Sequence, residues 1–301
     1  MFKVLSHPLA RLVAGSVLIS FSPVFIKVAG IQPDLSAFYR MFFAAIALSL
    51  LLLGRRERIM WDGRAYVLLG LAGGFMSLDL MCWHRSIELV GPGVATLLGN
   101  LQVFFTALFS WLLFKERLSW NILFAAGIAL LGLFFITGGI QGLESAAVRS
   151  GVILGVLTAI FYSLYLLTLK KTLDASVVSG VCAMLLISLF CVAILGLYAL
   201  LRGLSLQVTE VRALVALAGV GVLGTTIGWS LITSAIRHVS TTVTGFMLLL
   251  QPALSFLWDV AFFGRVTAPL EYVGVALVLA AIYLGALKRE VNEKGVCRSD
   301  S

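Results

Sequence analysis

The chain has 301 residues, of which 60% are hydrophobic and only 12% are charged. A typical soluble domain has about 25% charged residues, so this chain cannot cover a soluble surface of ordinary polarity. The composition excludes an ordinary soluble enzyme and a disordered chain, and it indicates a polytopic membrane protein. The net charge of +8 does not indicate a nucleic-acid partner, because the basic residues stand singly at the ends of apolar segments.

Ten apolar segments are each long enough to cross a membrane as an α-helix, which needs about 20 residues. We predict these spans at 10–29, 35–54, 65–87, 93–114, 119–139, 150–169, 177–201, 212–235, 240–263 and 271–287. The connections between them are short and rich in glycine. They include Gly30–Asp34, Gly54–Gly63, Gly91–Gly93 and Gly138–Ser145. The predicted fold class is therefore an all-α polytopic membrane protein with ten transmembrane helices.

Lysine and arginine are distributed unequally between the two ends of these spans. With the N-terminus inside, the inner segments hold 15 of them and the outer ends hold 7, which accounts for all 22. Because short cytoplasmic loops are enriched in these residues, both termini are predicted to lie in the cytoplasm and the spans in the cell (inner) membrane. The first span is longer than the core of a signal peptide, so we expect it to be retained.

The two halves of the chain resemble each other in sequence. At an offset of 149 residues, the matches are Val94/Val243, Leu101/Leu250, Gln102/Gln251, Leu108/Leu257 and Phe114/Phe263. The following helices contain GIAL at 127–130 and GVAL at 274–277, at an offset of 147. We predict a first repeat at 1–140, a second repeat at 150–287 and a cytoplasmic tail at 288–301. Five spans per repeat is an odd number, so the second repeat is inverted, which is typical of secondary transporters.

Three segments resemble the EamA-type, two-repeat members of the drug/metabolite transporter superfamily. They read SAFYRMFFAAIAL at 36–48, VGPGVATLLGNLQVFFTALFSWLLFKERLS at 90–119 and VSTTVTGFMLLLQPALSFLWDVAFFGRV at 239–266. The resemblance covers about 10–287. It implies alternating access around a central cavity lined by the first, third, fourth, sixth, eighth and ninth spans, and it implies export of the solute.

Ionisable side chains inside the spans are candidate site residues, because a charge in the bilayer interior costs about 2.5–3.5 kcal/mol. Asp79 lies in the outer half of the third span, with Trp83 on the same face and His84 next to it. Arg40 lies at a comparable depth in the second span. One interpretation is a substrate or proton site, with Arg40 contacting an anion and Asp79 titrating. The other is a structural Arg40–Asp79 ion pair.

Amide and aromatic side chains extend this candidate site. Gln251 lies near the midplane of the ninth span, Gln102 is its repeat partner, and Asn100 lies close by. These amides either line a cavity or join helices, and we favour the cavity because repeats meet at the site. Aromatic residues are predicted to line the same cavity and to favour a small organic metabolite. They are Phe21, Tyr162, Tyr165 and Trp229. Asp259 either lines the cavity or reaches the headgroups.

Two prolines and three glycine pairs are predicted to shape the helices. Pro23 and Pro252 each remove a backbone donor and clash with the carbonyl four residues earlier, so both are candidate hinges. Glycines spaced by four residues allow close helix contact. They are Gly70/Gly74, Gly151/Gly155 and Gly224/Gly228. The GxGxxG pattern at Gly219–Gly224 lies inside an apolar span, so we do not interpret it as a dinucleotide site.

The predicted function is secondary transport of a small organic metabolite such as an amino acid, a nucleobase or a drug-like solute. No P-loop pattern occurs, and the three histidines are far apart in sequence, so we predict no enzymatic activity, no cofactor and no metal. The alternative is an integral-membrane enzyme or a lipid-handling protein. The expected partners are the solute, the lipid bilayer and, as a candidate coupling ion, the proton. A monomer and a homodimer both remain open.

Overall fold

A computed structural model describes residues 7–56, 62–115, 120–137, 145–264 and 266–284. Their regular structure is helical throughout. The helices are α1 (Pro8–Ser20), α2 (Ser22–Ala29), α3 (Pro33–Arg55), α4 (Gly63–Gly99), α5 (Gln102–Phe114), α6 (Trp120–Thr137), α7 (Ala146–Ala175), α8 (Gly180–Leu201), α9 (Val211–Gly219), α10 (Trp229–Ile236), α11 (Thr241–Leu248), α12 (Leu250–Phe263) and α13 (Pro269–Ile282). A π-helical segment, Val220–Gly228, joins α9 to α10.

Seven helical stretches are long and apolar enough to cross a membrane. They are Pro8–Ala29, Pro33–Arg55, Gly63–Val90, Ala146–Ala175, Gly180–Leu201, Val211–Ile236 and Thr241–Phe263. Three shorter apolar helices occupy the remaining predicted spans, at Gln102–Phe114, Trp120–Ile136 and Pro269–Ile282. The all-helical class is therefore confirmed, whereas the membrane crossing of the three shorter helices stays a prediction. The predicted tail at 288–301 lies outside the described residues.

The range of helix α4, Gly63–Gly99, includes the predicted connection at Gly91–Gly93. A straight helix rises about 1.5 Å per residue, which would separate Trp83 from Gly99 by about 24 Å. A methyl group at Gly99 would nevertheless lie 3.9 Å from the Trp83 ring. The chain therefore reverses direction between these two residues, and α4 supplies the third span and the start of the fourth.

Helix breaks occur at equivalent positions in the two repeats. In the first repeat, α4 ends and α5 begins around Asn100, and in the second, α11 gives way to α12 at Leu249. The offset of 149 aligns these two residues. Val103 stands where the second repeat has Pro252, so the first break forms without a proline. There the Asn100 side chain donates to the Thr96 carbonyl at 2.7 Å.

The first predicted span is also broken, at Phe21 between α1 and α2. Pro23 follows two residues later, and helix α12 braces the break. The Phe21 ring stacks on Trp258 with centroids 4.5 Å apart, and the Trp258 indole donates to the Ser20 hydroxyl at 2.8 Å. The Ser255 hydroxyl donates to the Ser20 carbonyl at 2.9 Å. Phe21 therefore packs on α12. Contrary to the prediction, it does not line the cavity.

The repeats contact each other where glycines bring backbones together. A methyl group at Gly132 of α6 would lie 2.6 Å from the Gly274 carbonyl oxygen of α13. At a second contact, a methyl group at Gly15 of α1 would lie 2.7 Å from the Gly228 carbonyl oxygen. The predicted close packing is confirmed for Gly151/Gly155 and Gly224/Gly228. In the third pair, Gly70/Gly74, a methyl group at Gly74 would have no neighbour within 4 Å. At these two contacts the backbones of the two repeats therefore lie directly against each other.

Candidate functional site

A cavity of about 730 Å³ lies between the two repeats. The resemblance implied walls from the first, third, fourth, sixth, eighth and ninth spans, and each of these contributes. The structure adds the second span through Arg40 and the fifth through Leu133 and Ile136. Both repeats therefore surround one cavity, as expected of a site between halves.

Most of the predicted site residues lie on the wall of this cavity. They are Pro23, Arg40, Asp79, Trp83, Asn100, Gln102, Tyr162, Trp229, Gln251 and Pro252. These side chains come from seven helices and from the break between α4 and α5. The placement brings the candidates together, while their roles in binding stay predictions.

Besides Phe21, two predicted residues lie outside the cavity wall. His84 is buried beside the second span, with Nδ1 3.8 Å from the Asp34 carboxylate, a distance too long for a hydrogen bond. Tyr165 is fully buried behind the wall, and its hydroxyl lies 3.8 Å from the Met184 sulfur. Their neighbours on α4 and α7, Trp83 and Tyr162, line the cavity instead. His84 is one position from Trp83, so its side chain leaves the helix in a different direction. Tyr165 is on the same face as Tyr162 but about one turn further along, where it packs edge to face on Trp229 with centroids 5.2 Å apart.

Arg40 and Asp79 both line the cavity, but they do not form the structural ion pair that was the alternative interpretation. No ion pair within 4.0 Å joins these two side chains, whereas Lys27–Asp259 and Lys170–Asp174 are paired at 2.9 and 3.2 Å. The Arg40 Nε instead donates to the Thr225 hydroxyl at 2.9 Å. The site therefore holds one cation and one anion that are not directly joined.

The repeat-related glutamines have different surroundings. Gln102 is 2% exposed, and its amide nitrogen donates to the Gly245 carbonyl at 3.2 Å while its oxygen accepts from Thr106 at 3.1 Å. The side chain of Gln102 therefore joins α5 to α11, which was the alternative to cavity lining. Gln251 lies beside Tyr162, and its amide nitrogen is buried without a hydrogen-bond partner in the described chain. Of the two glutamines, Gln251 is therefore the one whose amide nitrogen has no hydrogen-bond partner within the described chain.

Three buried donors on the cavity wall have no partner among the described residues. They are the Trp229 indole nitrogen, the Gln251 amide nitrogen and the Ser22 hydroxyl. An unsatisfied buried donor costs about 1–3 kcal/mol, and such groups in native structures commonly bond to water or a ligand. The cavity can therefore offer these donors to a polar solute.

An aromatic cluster forms the deep end of the cavity. The Trp229 ring meets Tyr165 at 5.2 Å and Tyr162 at 6.3 Å, both edge to face. Trp229 is 2% exposed, and Leu248 beside it is 3% exposed. Closely packed aromatic rings exclude water, so this end is closed.

The opposite end of the cavity carries an ion pair between the repeats. Lys27 of α2 lies 2.9 Å from Asp259 of α12, and their side chains are 54% and 32% exposed. The Lys27 ammonium also lies 4.0 Å from the centre of the Phe263 ring. Asp259 thus lines the cavity, which resolves the two interpretations left open above. The high exposure identifies this end as the mouth.

The sequence missed the partners of these charges. Lys27 and Asp259 are 232 residues apart, and the shared signal was only that both stand at the outer ends of predicted spans. Thr225 of the π-helical segment, which holds Arg40, has no sequence signature. No group of three His, Cys, Asp or Glu residues that could hold a metal ion occurs in the ranges that the structure describes.

Two repeats with matching helix breaks surround one cavity, an arrangement that recurs in transporter folds. The profile of the EamA-like transporter family matches residues 9–138 and 149–286. The chain therefore belongs to the EamA-like transporter family, a family of multi-pass membrane proteins that transport solutes. The family resemblance seen in the sequence is confirmed.

Solved structures share this fold. Twenty-nine chains match, and one titled only "Crystal structure of protein" superposes with a TM-score of 0.78 at 17% identity. That alignment covers 94% of this chain and 98% of the other. No curated protein matches this sequence. At this identity the similarity concerns the fold alone.

Proposed function

We propose that the protein transports a small organic solute by alternating access, with the two repeats moving around the central cavity. The observation that carries this proposal is that the cavity between the repeats is lined by solvent-exposed residues at one end, Lys27 and Asp259, and by buried residues at the other, Trp229 and Leu248. A continuous pore would be accessible from both ends, whereas an alternating-access carrier exposes its site to one side at a time.

Bonds between cations and backbone carbonyls reinforce the closed end. The Lys170 ammonium donates to the carbonyls of Ile236 and Val239 at 3.0 and 3.1 Å. Arg11 of the first repeat donates to the Ser234 carbonyl at 3.0 Å. These bonds cap the carboxyl end of α10, where cations stabilise a helix. Opening this end requires that the Arg11 bond between the repeats break.

The distribution of lysine and arginine indicates which side of the membrane each end of the cavity faces. With the N-terminus in the cytoplasm, the mouth at Lys27 and Asp259 faces outward, and the closed end at Lys170 faces the cytoplasm. The conformation is then the outward-facing state of the carrier. An exporter passes through this state when it releases solute, and export is the direction that the family resemblance favours.

The cavity suits an organic solute better than an inorganic ion. Its volume of about 730 Å³ falls within the 300–1,000 Å³ of small-molecule sites, and aromatic side chains form much of its wall. The charged and donor groups on the wall provide polar contacts. Amino acids, nucleobases and drug-like solutes all meet this description, with the proton as a candidate coupling ion through Asp79.

The test is a ligand screen followed by flux measurement. Purified full-length protein in detergent is heated with amino acids, nucleobases, polyamines, sugars and lipophilic cations at millimolar concentration. A ligand at 100 times its dissociation constant adds about 2.7 kcal/mol to stability. Stabilising compounds are then tested for uptake into sealed proteoliposomes. Saturable uptake that unlabelled solute stimulates by exchange is expected. Binding without flux would contradict transport and favour a membrane enzyme or a lipid-handling protein.

A further inference from the structure

We propose that the transported solute is a small zwitterion whose anionic group binds Arg40 and whose cationic group binds Asp79. This inference rests on the proposed transport function and names the substrate class of the same cavity. The charges on the wall restrict the solute most strongly, because taking a charge out of water without a partner has a large free-energy cost.

The Arg40 guanidinium is held at one nitrogen and leaves the other two for a ligand. Its Nε donates to Thr225, and the described residues contain no other hydrogen bond from this side chain. The planar guanidinium can therefore present its two terminal nitrogens to a carboxylate as a fork. Thr225 is fully buried in the π-helical segment, so it acts as a positioning residue for Arg40.

The Asp79 carboxylate has no donor of its own. In the part of the chain that the structure describes, no hydrogen bond or ion pair reaches its side chain, although the residue is only 7% exposed. The Thr158 hydroxyl lies 3.5 Å from the backbone carbonyl of Asp79. An ammonium group has three donors and can satisfy this carboxylate. Trp83, one helical turn away on the same wall, offers an aromatic ring to the same cation.

The other charges on the wall do not change this balance. Lys27 and Asp259 neutralise each other at the mouth. Inside the mouth, the wall therefore has one unpaired cation and one unpaired anion. A neutral solute would displace water from both charges and offer only uncharged hydrogen-bonding groups, whereas a singly charged solute would neutralise one charge and be repelled by the other. A zwitterion replaces the water at both charges.

The experiment compares ligands that differ only in charge. One set is leucine, leucine methyl ester, N-acetylleucine and N-acetylleucine methyl ester, which are a zwitterion, a cation, an anion and a neutral compound. A second set has the same four forms of phenylalanine. Binding to the full chain in detergent is measured by calorimetry. A hydrogen-bonded charge contributes about 1.5–3 kcal/mol, so each blocked group is expected to weaken binding about 10- to 100-fold.

Variants assign each charge to its partner. Arg40→Gln is expected to remove the difference between the zwitterion and its methyl ester, and Asp79→Asn the difference between the zwitterion and its N-acetyl form. Thr225→Val should weaken zwitterion binding, while Thr225→Ser, which keeps the hydroxyl, should restore it. Arg85→Gln is the matched control, because Arg85 donates to Tyr198 and does not line the cavity. It should bind as the wild type does.

Two results would overturn the assignment. Equal binding of all four charge forms in both sets would show that the charges do not select the solute. Failure of both zwitterions to bind, while another compound class binds and is transported, would refute the zwitterion and leave transport intact. Loss of transport for every ligand that binds refutes the proposed function itself, so the two failures are distinguishable.

Discussion

The contact between Gly132 and Gly274 gives a prediction that can be worked out from distances. A methyl group at Gly132 would lie 2.6 Å from the Gly274 carbonyl oxygen, while ordinary contacts of such a carbon begin at 3.4 Å. The obstacle is backbone, which cannot rotate away as a side chain can. Relief therefore requires α6 and α13 to separate by about 0.8 Å, the difference between those two distances. A gap of this size forfeits about a quarter to a half of each dispersion contact.

Gly127, on the same helix, is the matched control. A methyl group at Gly127 would meet nothing within 4 Å. Both alanine variants gain the same helix propensity, about 1 kcal/mol, so the propensity cancels when the two are compared. The remaining difference is the cost of overpacking, about 1–3 kcal/mol. We therefore expect Gly132→Ala to be less stable than Gly127→Ala by this amount.

The assay is thermal unfolding of both variants in the same detergent, with tryptophan fluorescence as the signal that monitors unfolding. The expected difference corresponds to a melting temperature lower by about 2–6 °C for Gly132→Ala. Gly274→Ala should behave like Gly132→Ala, because its methyl group would lie 2.5 Å from the Gly132 carbonyl oxygen. Equal melting temperatures for the variants at Gly127 and Gly132 would refute the reasoning that backbone contact limits this position.

Three further predictions concern the helix breaks, the orientation and the coupling ion. Val103→Pro should cost little stability in the same melting assay, because Val103 lies in the first turn of α5, whereas Ala107→Pro in its interior should cost about 3 kcal/mol or more. With the native cysteines replaced, Lys27→Cys should react with a membrane-impermeant thiol reagent added to intact cells and Arg55→Cys should not; the reverse pattern contradicts the outward mouth. Asp79→Asn should abolish the dependence of flux on a pH gradient, and unchanged dependence would exclude Asp79 as the coupling acid.

The sequence by itself determined the class of protein and the rough location of the site. Composition required a membrane environment, because 12% charged residues cannot cover a soluble surface. The repeat offset predicted two halves, and the depth of Arg40 and Asp79 in their spans predicted that both reach one cavity. Composition, the repeat offset and the depth of a residue in its span can all be read from the order of residues along the chain.

The tertiary structure alone decided which way each side chain faces and which groups meet. Helix α6 reads WNILFAAGIALLGLFFIT and is apolar on every side, so its sequence cannot tell that Gly132 and not Gly127 faces α13. The pairing of Lys27 with Asp259 joins residues 232 positions apart. In a lipid-facing bundle the polar and apolar pattern that marks the inner face of a soluble helix is weak. Rotation about the helix axis is therefore set by packing between helices.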